Sequence, residues 1–171
     1  QYPVIIDNMM NLELLEWASK NSDNSRFASI ARSHADVTLK NHFRPDYSCW
    51  HVVSYDTITG QPEKKHTRQG YSHESSWSRG EAWALYGYVM MYRETQQKHY
   101  LAHAKKVANY ILTHPRMPED GIPYWDYDAP DIPDTYRDAS AGAIMASAFI
   151  ELSTMIQGEL SRKCLMMAET Q

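Results

Sequence analysis

Phenylalanine is scarce in this 171-residue chain, three residues against 12 tyrosines and five tryptophans. Amphipathic rings therefore outnumber purely apolar ones, as expected where ring faces meet a polar ligand or where a large core has a polar rim. Cysteine is nearly absent. Cys49 and Cys164 lie far apart with no metal-type spacing, and a reduced compartment is the default. No apolar run approaches the ~20 residues that span a bilayer, and no signal-peptide pattern is seen. A basic surplus is missing too: net charge is −4 and Lys and Arg are scattered, which removes nucleic acid from the expected partners. The remaining balance, 43% hydrophobic and 22% charged, is ordinary for a soluble globular protein. The length suits one domain, since domains peak near ~100–150 residues. The chain begins at Gln1, and Tyr2-Pro3-Val4-Ile5-Ile6 reads like the interior of a domain, so an upstream segment is expected.

Apolar residues at helical spacing (Ile6, Met9, Met10, Leu14, Trp17) predict a first helix over residues 5–20. A second follows the polar turn at Asn21–Ser25 and ends before Pro45. From Tyr47 to Ile58 the residues turn β-rich, and Thr59-Gly60-Gln61-Pro62 punctuates them, predicting a short hairpin inside a long connection. Further helices are predicted over 75–94, 100–112, 139–156 and 159–169. Short turns follow the first, third and fifth helices, and long aromatic- and acid-rich segments precede the third and fifth. Each pair reads as an αα-hairpin whose first helix is fed by a functional loop, at a coarse repeat of roughly 65 residues. Hairpins stacked side by side bury a shared core, and loops that enter on one side converge on one mouth.

Trp77-Ser78-Arg79-Gly80-Glu81-Ala82-Trp83 carries the strongest chemical signal. Flat apolar rings beside a fixed cation suit a ligand with an apolar face and a negative charge, such as an acidic sugar; the alternative places both indoles in the core. Arg79 has a competing structural use as an internal salt bridge to Glu74 or Glu81. The stretch Tyr124-Trp125-Asp126-Tyr127-Asp128 reads as mouth-lining aromatics with turn-forming acids, its spacing unlike a calcium loop. His34, His66, His99 and His103 lack metal spacing, so neither metal nor cofactor is expected.

Gln69-Gly70-Tyr71 followed by the Trp77–Trp83 run resembles the signature of glycoside hydrolase family 88, the unsaturated glucuronyl hydrolases. Ile5–Asn11 and Arg137–Ala141 are similar to further family segments in the same order, so the likeness spans nearly the whole chain. It implies an all-α fold: αα-hairpins of an incomplete (α/α)6 barrel, residues 1–171 forming about half of it as a single partial catalytic domain. It also implies removal of a 4,5-unsaturated uronic acid from the non-reducing end of lyase-generated oligosaccharides, in a cytoplasmic or periplasmic bacterial setting. An aspartic acid protonates C4 of the double bond, water adds at C5, and the hemiketal falls apart.

Asp7 matches the family's acid. Its apolar neighbours Ile5, Ile6, Met9 and Met10 disfavour the charged form and raise the pKa, although an ordinary helix cap has the same sequence appearance. Trp77, Trp83 and Arg79 match substrate-contact positions, with indoles stacking on the flattened ring and the guanidinium meeting the uronate or ordering a nearby acid. Gln69 matches a residue suited to sugar hydroxyls, and His51 one that bonds substrate or holds the acid. Two departures stand out. Glu81 occupies a position where many members have Gln, and the family's second aspartate falls upstream of Gln1. Readings that stay open are a sister hydrolase acting on unsaturated rhamnogalacturonan fragments and a non-catalytic helical module for acidic sugars.

Overall fold

Helix α3 (Ser78–Thr95) organises the molecule. Its buried residues, among them Gly80, Ala82, Ala84, Leu85, Gly87, Tyr88, Val89, Met90 and Met91, face all directions, so the helix must be covered on every side. Helices α1 (Asn8–Lys20) and α5 (Ala139–Met155) flank it, and α4 (Lys98–Thr113) covers it from outside. Small residues let the neighbours approach: a Cβ added at Gly87 would collide with the Cβ of Met9 in α1. α2 (Arg26–Asn41) returns along α1, and α6 (Glu159–Thr170) along α5. The computed structural model describes residues 1–171, and its architecture is the expected one: αα-hairpins with an inner layer of α1, α3 and α5.

The outer helices differ from α3 in the way their sequence demands. In α4 the buried residues are Tyr100, His103, Ala104, Val107, Ala108 and Ile111, one stripe at helical spacing that leaves the opposite face to water. His103, one helical turn beyond His99, turns into an aromatic cluster with Phe43 and Tyr88. His99 faces Asp36 at 3.2 Å.

Two boundaries differ from the sequence expectation. Residues 5–7 are not helical: Tyr2–Ile5 forms strand β1, antiparallel to β2 (Val52–Tyr55), which pairs in turn with β3 (Pro62–His66). The expected hairpin is present, but as part of a three-stranded sheet in the order β1-β2-β3. The apolar run Val4–Ile6 fits helical and extended periodicity alike, and the distant partner at Val52–Tyr55 decides between them. Helix α3 starts at Ser78 and not at Ser75, because Ser76 and Trp77 are drawn into the loop before α5. The Ser76 carbonyl accepts from Tyr127 N at 2.9 Å, and Trp77 forms a β-bridge with Asp126.

The three inner helices run in the same direction. Arg79 at the start of α3 meets Asp138 at the start of α5, and Gly80 lies beside Ile6 just before α1. At the other end Arg93 pairs with Glu13 of α1 and Glu151 of α5, and Lys20 with Glu94. All three N-termini therefore open on one mouth, where their macrodipoles favour negative charge.

Candidate active site

Strand pairing builds the centre of this mouth. The β1–β2 register sets Ile5 opposite Val52, and the ladder continues by one bond, with Ile6 N donating to the His51 carbonyl at 2.9 Å. Asp7, the next residue, is thereby delivered beside the His51 side chain. Its Oδ2 stands 3.6 Å from His51 Nε2, a contact too long to count as a hydrogen bond. Asp7 occupies the cap position of α1, yet its side chain accepts no capping bond from the helix, and Oδ2 is buried without any partner. The carboxyl is held in place by its surroundings and is not used as a cap.

The tautomer of His51 follows from its other nitrogen. Backbone N–H groups of Arg68 and Gln69 point at Nδ1 from 3.2 and 3.4 Å, so Nδ1 is an acceptor and the proton sits on Nε2, facing Asp7. Thr67 Oγ1 lies 3.3 Å from the same Nδ1. Burial lowers the His51 pKa to about 4, with a smaller contribution from nearby His66. The ring is therefore a neutral donor at neutral pH. Asp7 moves the other way: burial raises its pKa, and this outweighs the hydrogen bond from its own backbone and the positive charge of Arg79, both of which lower it. A carboxyl that keeps its proton longer than usual, beside a neutral N–H able to steady it once ionised, has the chemistry a general acid needs.

The other residues expected from sequence lie at differing reach of this pair. Trp77, 5% exposed, packs one side of its indole against His51, with ring centroids 4.4 Å apart, and the Arg79 guanidinium carbon lies 5.7 Å from its ring centre. Trp83 is half-buried in the second turn of α3, edge-on to Tyr86. Gln69 uses its backbone to hold His51 and leaves its side chain exposed. The structure thus brings Asp7 beside His51 and His51 against Trp77, with Arg79 alongside. Neither Trp83 nor the Gln69 side chain makes a hydrogen bond to Asp7.

Arg79 pairs with neither of the acids anticipated for it. Its Nε and Nη2 both reach Asp138 Oδ2, at 3.0 and 2.9 Å. Glu74 lies instead near Arg44, and Glu81 points into the core, because the first turn of α3 aims residues 79 and 81 in different directions. Glu81 Oε1 accepts from Cys49 N at 2.9 Å and Ser76 Oγ at 2.7 Å, while Oε2 has no partner. Burial pushes this carboxyl up to about 7 against those two hydrogen bonds and the charge of Arg44.

The acid loop also departs from expectation. Tyr127 is fully buried rather than mouth-lining, packed against Tyr110 and His114. Asp126 does form a turn, taking Asp128 N on Oδ1, but its buried Oδ2 also accepts from Tyr71 N and Ser75 Oγ at 2.8 and 2.7 Å. It clamps the loop carrying Gln69 to the loop before α5. No cluster of three His, Cys, Asp or Glu side chains is placed to hold a metal ion. A cavity of about 690 Å3 between α2 and the sheet, lined by Tyr2, Ile30, His34 and Tyr55, does not include the Asp7–His51 pair.

Comparison with known proteins gives a consistent picture. The chain is 53% identical over 153 residues to an unsaturated glucuronyl hydrolase of Formosa agariphila, an alignment covering 90% of this chain and 38% of that protein. It is 38% identical over 151 residues to an unsaturated chondroitin disaccharide hydrolase of Streptococcus pneumoniae, covering 88% of this chain and 38% of that one. A crystal structure of an unsaturated glucuronyl hydrolase specific for heparin superposes with a TM-score of 0.96 at 48% identity, covering 99% of this chain and 45% of its own. No family model matches the sequence. The chain spans less than half the length of the relatives it matches.

Proposed function

We propose a hydrolytic reading of this mouth from one premise: the chain belongs to the unsaturated glucuronyl hydrolases, spanning less than half the length of the relatives compared. Its three hairpins form about half of a six-hairpin toroid, and Asp7 is the acid of its site. The carboxyl of Asp7 hands its proton to C4 of a 4,5-unsaturated uronide. Positive charge develops at C5, water adds there and returns a proton to the Asp7 carboxylate, and the hemiketal opens to release the next sugar. His51 Nε2–H steadies the carboxylate that forms, and Arg79 with the helix N-termini attracts the uronate. Trp77 backs His51, while Trp83 and the Gln69 amide offer a ring face and hydrogen bonds to the sugar.

The observation that carries this reading is the buried, unpartnered Oδ2 of Asp7 facing a histidine whose tautomer is fixed as a donor. The glucuronyl reading is favoured over the rhamnogalacturonyl one by the names of the relatives. The test follows loss of ultraviolet absorbance from the C4–C5 double bond in the full-length gene product, with unsaturated chondroitin, heparin and pectin disaccharides. Wild type is expected to consume a glycosaminoglycan disaccharide, and Asp7→Asn to lose at least ~100-fold in kcat, the lower range for general acid catalysis. Full rate in Asp7→Asn would remove the acid from this position, and sugar binding without turnover in wild type would favour a non-catalytic module.

A further inference from the structure

We propose that Asp138 is a positioning residue for Arg79, fixing which edge of the guanidinium meets the ligand's carboxylate. The inference rests on the uronide reading above. A guanidinium offers two flat edges able to grip a carboxylate, the Nε/Nη2 edge and the Nη1/Nη2 edge. Asp138 occupies the first: Nε and Nη2 both point at its Oδ2. Nη1 makes no hydrogen bond or ion pair within the chain, so the second edge is left open, and the Arg79 side chain is 39% exposed.

Asp138 itself cannot wander. Its side chain is 4% exposed, its Oδ1 accepts from Ala141 N at 2.9 Å as the cap of α5, and its backbone N donates to the Pro123 carbonyl at 2.8 Å. Each carboxylate oxygen has one task, Oδ1 for the helix and Oδ2 for the arginine. The guanidinium also lies against Trp77, whose other neighbour is His51 beside Asp7. Asp138 thus refers the cation to the N-terminus of α5 and, through Trp77, to the acid.

Two tasks on two oxygens make the roles separable. Asp138→Ser keeps a good helix cap but cannot reach Arg79, and Asp138→Asn keeps cap and shape but removes the charge. Both are made in the full-length gene product, alone and combined with Arg79→Ala, with melting temperature, kcat and KM measured on the unsaturated disaccharide that wild type consumes. We expect KM to rise about tenfold or more in both single variants with kcat changed less and melting little altered, since misplacing a group by ~1 Å can cost ~100-fold. In the Arg79→Ala background neither change should reduce kcat/KM further, because the group it positions is gone. Unchanged KM in both variants overturns the proposal. Losses that multiply fully with Arg79→Ala, or that merely track a lower melting temperature, overturn it as well. Should Asp138→Ser fail to fold, Asp138→Asn decides alone, and a wild type that consumes no unsaturated uronide overturns the functional reading together with this one.

Discussion

Glu81 should make the stability of this protein fall as pH rises from about 4.5 to about 7, and Glu81→Gln should abolish that fall. The carboxyl is fully buried, with Oε1 held by Cys49 N and Ser76 Oγ and Oε2 without a partner. Its pKa is raised from 4.5 to about 7 in the folded chain, burial being the dominant cause. A group raised on folding contributes fully below its unfolded pKa, and that contribution disappears as pH climbs through the folded one. At ~1.4 kcal/mol per pH unit, the loss between pH 4.5 and pH 8 is about 3 kcal/mol. Gln has the same shape but leaves an NH2 with two unpartnered N–H donors where the protonated acid leaves one hydroxyl, so the comparison rests on the change with pH from a reference near pH 4.5. Relative to that reference the variant should gain about 3 kcal/mol on wild type by pH 8, or ~6–12 °C in melting temperature for a chain of this size. Urea unfolding of both proteins at half-unit steps from pH 4.5 to 8.5 measures the difference directly. Parallel pH curves would refute the reasoning, since they would mean that the carboxyl is ionised in the fold without penalty.

Two further changes probe the packing beneath the mouth. Gly87→Ala places a methyl group against Met9 where α3 meets α1, and should destabilise by about 1–3 kcal/mol in denaturant unfolding, the usual range for overpacking. Asp126→Ala removes the acceptor shared by Tyr71 N, Ser75 Oγ and Asp128 N. It should cost about 3 kcal/mol or more, as charged hydrogen bonds are worth ~1.5–3 kcal/mol each, and should speed amide exchange at Tyr71 more than at Leu85 in the core.

The helices were readable because their apolar residues recur at helical spacing, as one stripe in α4 and on nearly every side in α3, patterns visible within one turn or two. The sheet was half readable. β2 announces itself by β-rich residues and the Thr59–Pro62 break marks its turn, whereas β3 (Pro-Glu-Lys-Lys-His) has no β signal of its own and β1 is four residues whose partner lies about 50 positions away, beyond the reach of local periodicity. Within the site, the matched positions Asp7, His51, Trp77 and Arg79 do assemble. Their supports were less visible. Asp138 could have been found as an acid placed just before the small-residue start of α5, but its second partner, Arg79, is 59 residues earlier. For Glu81 no sequence signal distinguishes a buried carboxyl from a surface one on the first turn of a helix, where acids are ordinarily welcome.

Every inner helix sets out from the same rim, so the stretches that lead into α3 and α5 gather there as well, away from the staves of the wall. Lengthening or exchanging one of these lead-ins would reshape the entrance while Arg93 and its acidic neighbours keep the far rim stitched. A lineage built this way can alter what it admits without renegotiating how it folds, as long as Asp126 and Asp138 still pin the new stretches to the old wall.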